Sequence, residues 1–111
     1  MGYTKASTAD VDSLIDGEYG GMWMLRDALD CENLGISLIE LEPDAKGKPH
    51  DHAEDGQEEV YLVVDGELDV ELGEETVTLG SGEAVRVSPD QRRQLVNRGG
   101  ERVRAVLVGA T

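Results

Sequence analysis

This 111-residue chain has two histidines, and they stand two apart, as His50-Asp51-His52. Residues i and i+2 of an extended strand point to the same side. Both imidazoles therefore face one pocket or one patch of solvent, and a pair so placed can share one metal ion. After a polar loop, Ala53 to Gln57, the chain returns as Glu58-Glu59-Val60-Tyr61-Leu62-Val63-Val64-Asp65-Gly66. In strand geometry Glu59, Tyr61 and Val63 share one face, and Glu58, Val60, Leu62 and Val64 share the other. One of the two glutamates turns inward. Two imidazoles and a carboxylate form the facial set that binds non-haem Fe(II), and similar sets hold Zn or Mn, with positions left open for water or substrate. The competing reading of a strand His-x-His is a surface or hydrogen-bonded pair. Tyr61 reads either as a half-buried strand aromatic or as a pocket hydroxyl.

Other chemistries find less support. No Ser/His/Asp grouping and no Gly-rich phosphate loop ahead of a helix can be placed, and Cys31, the single cysteine, has no His near it in sequence. It reads as a small buried apolar side chain in a reducing compartment. Twenty-four acidic residues against ten basic ones give a net charge of −14. Such an anionic surface excludes nucleic acid and anionic membrane as partners. The acid-rich, Lys-poor composition resembles that of salt-adapted proteins, in which salt screens the repulsion among carboxylates. Apolar runs such as Val60 to Val64 and Val103 to Val108 are far shorter than the roughly 20 residues that span a bilayer. With no basic segment and apolar run at the start, a soluble, cytoplasmic protein is expected.

The elements that must position these residues are short strands. Met22 to Arg26, Gly35 to Leu41, Val60 to Val64, Glu67 to Leu72, Thr76 to Leu79, Ala84 to Val87, Arg93 to Val96 and Val103 to Val108 each have strand composition. Asp65-Gly66, Leu72-Gly73-Glu74, Gly80-Ser81-Gly82, Pro89-Asp90 and Arg98-Gly99-Gly100 supply turns between them. The rhythm predicts one all-β domain, a sandwich or barrel. Residues 1–21 read as an extended N-terminal arm and 22–111 as the barrel. Trp23 reads as core or as a dimer contact.

The motif residues resemble the cupin family. Its first motif runs Gly, five residues, His-x-His, three or four residues, Glu, six residues, Gly, and here His50-x-His52 is followed by Glu59, six residues and Gly66. Six residues separate His52 from Glu59, and Asp44 stands in the leading Gly position. The second motif, Gly, five residues, Pro-x-Gly, two residues, His, three residues, Asn, falls on Gly82, Ser88, Asp90, Arg93 and Asn97, so only the first Gly and the Asn are kept. The resemblance implies a double-stranded β-helix, or jelly-roll, barrel. It makes Glu59 rather than Glu58 the inward ligand, with His50 and His52, for a divalent ion such as Fe, Mn, Zn or Ni.

Arg93 replaces the histidine that is the family's usual fourth ligand, and an arginine cannot ligate a cation. Two readings stay open. In one, Arg93 clamps an anionic substrate beside a three-ligand metal, with Tyr61 as a second contact. In the other, it pairs with Glu59, removing the carboxylate as a ligand, and the pocket holds no metal. The functions implied run from a metal-dependent oxygenase, isomerase or decarboxylase, through a small-molecule binding or sensing module, to a barrel with a structural role only. Small barrels of this family commonly pair, so a homodimer is expected, with the N-terminal arm or an exposed sheet edge as its means.

Overall fold

The computed structural model describes residues 2–111. Eight strands follow in order: β1 (Gly20–Met24), β2 (Leu34–Leu41), β3 (Glu58–Asp65), β4 (Leu68–Leu72), β5 (Glu75–Leu79), β6 (Ala84–Val87), β7 (Gln94–Val96) and β8 (Val103–Ala110). They form a five-stranded sheet in the order β1-β2-β8-β3-β6 and a three-stranded sheet in the order β5-β4-β7. Every named pairing is antiparallel. The last strand lies between β2 and β3, so chain ends and middle are laced together as in a jelly roll. The expected all-β jelly roll is therefore what the chain forms, and the one helical segment among the described residues is a 3-10 turn at Thr8–Asp10.

Alternation in the sequence explains these strands. In β3 and β8 every second residue is buried: Glu59, Tyr61 and Val63 in one, Val103, Ala105, Leu107 and Gly109 in the other. From β2, Ile39 and Leu41 join them, and Leu68, Val70, Leu79 and Leu95 of the smaller sheet close the core from the opposite side. The outward residues of β3 are Glu58, Val60, Leu62 and Val64. The β3–β4 turn needs Gly66: its φ is +94°, and a Cβ there would lie 3.0 Å from the Arg102 carbonyl oxygen.

Two sequence expectations shift. The first strand begins at Gly20, two residues ahead of Met22, because Gly20 and Gly21 pair with Leu41 and Glu40 of β2. The stretch before it is tied back onto the barrel: the Leu14 N–H donates to Met22 O at 2.8 Å, the Met22 N–H donates to Ser13 Oγ at 3.1 Å, and Ile15 packs against the core. Cys31 is half-buried.

Candidate metal centre

Glu59 reaches the interior because β3 is pleated, and there it is met by the segment that runs antiparallel to the approach of β7. His50 and Arg93 exchange both backbone hydrogen bonds, at 3.0 and 2.8 Å, while the His52 N–H donates to Pro89 O at 2.7 Å. These bonds fix the two histidines opposite Glu59. The imidazole centroids are 5.0 Å apart, edge to face. Candidate ligand atoms of His50, His52 and Glu59 all lie within 4.8 Å of one another.

Hydrogen bonds on the far side of each ring set its tautomer. His50 Nδ1 lies 2.9 Å from Lys48 O, an acceptor, so the nitrogen carries the proton. His52 Nδ1 is 3.1 Å from the Asp55 carboxylate, and the bond from His52 holds that carboxyl below the ordinary aspartate range. Both Nε2 lone pairs are thereby left facing Glu59 Oε1, at 3.8 Å from His50 and 3.3 Å from His52. Carbonyl and carboxylate partners behind ligating histidines are the usual means of orienting a metal site. The donor set fits a divalent ion.

The same carboxylate oxygen has two further neighbours. The Tyr61 hydroxyl donates to Glu59 Oε1 at 2.9 Å, and Arg93 Nη1 donates at 3.3 Å. Burial first, and then the charge of Glu59, push the Tyr61 phenol well above its ordinary range, so it stays a donor. Arg93 is buried throughout: Nη2 donates to Ser88 O at 2.7 Å, and Nε has no partner.

His50, His52 and Glu59 come together and line a cavity of about 600 Å³, which Tyr61 also lines. Arg93 does not line it. Arg93 is buried and pairs through Nη1 with Glu59 Oε1 at 3.3 Å, the second of the two arrangements left open by the sequence. Tyr61 is 1% exposed and has its hydroxyl committed to Glu59, so it braces the carboxylate.

Two motif positions also acquire reasons. Asp44, in the motif's leading glycine position, has φ +67°, a left-handed conformation that glycine adopts without strain. Asn97 is fully buried, donating through Nδ2 to Leu41 O and Glu101 O and accepting from the Gly99 N–H, so it clips three segments together. Sequence reasoning missed Asp55, which carried no periodic signal within its polar loop. It also missed Arg26, Lys46 and Lys48, which line the cavity from two separate loops.

The fold agrees with comparisons to known proteins. A sugar phosphate isomerase of the cupin superfamily from Silicibacter pomeroyi is 25% identical, with a TM-score of 0.73 over 91% of this chain and 69% of its own. A cupin protein from Bacteroides fragilis superposes with a TM-score of 0.79 at 20% identity, covering 100% of this chain and 86% of that one. A Cupin 2 conserved barrel domain protein from Salinispora arenicola gives 0.76 at 18% identity, over 100% and 89%. No curated protein sequence matches. Residues 37–109, which hold the entire His50/His52/Glu59 set and the strands from the middle of β2 through β8 as far as Gly109, match the family model described as Cupin domain, and the chain belongs to the cupin family.

Proposed function

We propose that the protein holds a divalent metal ion on His50 Nε2, His52 Nε2 and Glu59 Oε1, and that the ion presents open positions to a small-molecule ligand in the adjoining cavity. The observation that carries this reading is the tautomer control. Both Nδ1 atoms are occupied by acceptors, leaving two Nε2 lone pairs and a buried carboxylate oxygen converging on one point. A bound Fe, Mn, Zn or Ni ion would supply Lewis-acid polarisation of a ligand oxygen. The chain's own part is to orient the imidazoles through Lys48 O and Asp55, to keep Glu59 fixed through Tyr61, and to line the approach with apolar side chains that exclude water.

A second reading, a metal-free binding or sensing module, is favoured by one feature. Arg93 already pairs with Glu59, which lowers the attraction of the site for a cation. Elemental analysis of untagged protein, purified without chelator, separates the two. Near-stoichiometric metal that is lost on His52→Ala supports the metal centre, and no metal even after reconstitution supports the binding module.

A further inference from the structure

Ten Lys and Arg side chains serve this chain. Five arginines, at 86, 93, 98, 102 and 104, pair with carboxylates. The others, Lys5, Arg26, Lys46, Lys48 and Arg92, have no such pairing among the described residues, and three of these five, Arg26, Lys46 and Lys48, line the cavity. Arg26 is steadied by a bond from Nη2 to Glu32 O at 2.7 Å, a neutral acceptor that leaves its charge uncompensated. The two carboxylates in the wall are already engaged, Asp55 with His52 and Glu59 with Arg93 and Tyr61. The lining thus has three cations against two carboxylates, one positive charge in excess, in a chain whose net charge is −14. Where acids outnumber bases more than twofold, uncompensated cations gathered around one cavity mark the place of an anion.

The rest of the wall decides what kind of anion. Leu14, Ile15, Met22, Met24, Ile39 and Leu107 give it a largely hydrocarbon surface, and apart from the two histidines that face Glu59, the uncharged polar side chains free to bond are Ser37 and Gln57. A sugar buried there would leave hydroxyls without partners, each at a cost of about 1–3 kcal/mol. A volume near 600 Å³ admits a drug-sized molecule.

We propose that the cavity takes an organic carboxylate with an apolar body, its charge met by Lys46, Lys48 and Arg26 and its body by the Leu14–Ile15 segment and the inward side chains of β1 and β2. The proposal rests on the cavity being the ligand site and adds the ligand's class. The test is calorimetric titration of chelator-treated and metal-loaded protein with 4-phenylbutyrate, its neutral amide, and ribose 5-phosphate. The acid should bind both forms, with the amide about tenfold weaker for loss of one charged contact. Lys46→Met combined with Lys48→Met should weaken the acid at least as much, Met24→Gln should weaken acid and amide alike, and Lys5→Met should change nothing.

Equal binding of acid and amide, tighter binding of ribose 5-phosphate, or no binding to either form overturns the proposal. Acid binding confined to metal-loaded protein and indifferent to the lysines also overturns it, while sparing the metal centre. Lysine-dependent binding to a protein that never takes up metal upholds it and removes the metal centre instead.

Discussion

Arg93 is the antiparallel bridge partner of His50, each backbone N–H donating to the other's carbonyl, so the residue that stands where a fourth histidine would be is held directly beside the first. Its side chain approaches the same oxygen, Glu59 Oε1, that the two imidazoles face. Arg93→His should therefore add a ligand and tighten metal binding about tenfold or more, whereas His52→Ala should abolish it. Competition titrations against a chromophoric chelator measure both. Unchanged affinity in the two variants would refute the site.

Removing the guanidinium without replacing it gives a different signature. Arg93→Met leaves Glu59 with its charge buried, and breaking such a pair costs about 3 kcal/mol or more of folding stability. A bound divalent ion supplies the missing charge, so the loss in urea unfolding should be clearly smaller for metal-loaded than for metal-free protein. Equal losses would mean that the ion and Arg93 do not share Glu59.

Tyr61 sets an alkaline limit. A phenol whose pKa is raised in the folded state contributes stability that is complete below the unfolded value, about 10, and is lost as pH rises beyond it. Unfolding free energy should therefore fall from about pH 10 upward. In Tyr61→Phe that part of the fall should vanish, and stability near neutrality should drop by about 1–2 kcal/mol for the lost bond to Glu59.

Asp44→Gly should raise stability by about 0.5–1 kcal/mol, because it relieves a non-glycine residue at φ +67°. The Asp44 N–H bond to Asn97 O is unaffected, since the backbone donates it. A melting temperature that falls in this variant would show that the side chain has work of its own.

The outer face of the five-stranded sheet bears on the expected homodimer. Val60, Leu62 and Val64 are 36%, 39% and 51% exposed, and Leu62 lies in register with Val106, itself opposite Leu38 and then Trp23. Its charges come as paired ones, Glu58 with Arg86 and Glu40 with Arg104, so a second copy meets less repulsion here than a −14 surface offers elsewhere. Leu62→Glu should convert a dimer to a monomer in sedimentation equilibrium. A wild-type monomer at tens of micromolar would reject the pairing.

Much of this was legible in the sequence. Alternation placed β3, β4, β6 and β8 within two residues of their observed ends, because strand periodicity and turn glycines are local properties, and the resemblance to the cupin motif singled out His50, His52 and Glu59, whose candidate ligand atoms lie together in the structure. What stayed hidden depends on chain segments far apart. The pairing of Arg93 with Glu59 joins residues thirty-four positions apart, and its bridge to His50 spans forty-three. The convergence of Arg26 with Lys46 and Lys48 arises from the folding of two loops over one opening, and no window of sequence contains both.

Scarcity of aromatic residues has a practical consequence. With one tryptophan, no phenylalanine and, of three tyrosines, only Tyr61 buried while Tyr3 and Tyr19 are exposed, the chain carries two separable optical signals. Trp23 lies on the outer sheet face, its indole folded back over Gly21, in a space that a Cβ at that position would occupy. Tyr61 lies against the oxygen that would ligate an ion. Indole emission should follow events on the outer face, and phenol difference absorbance should follow occupancy of the centre, so a single cuvette can tell assembly from loading.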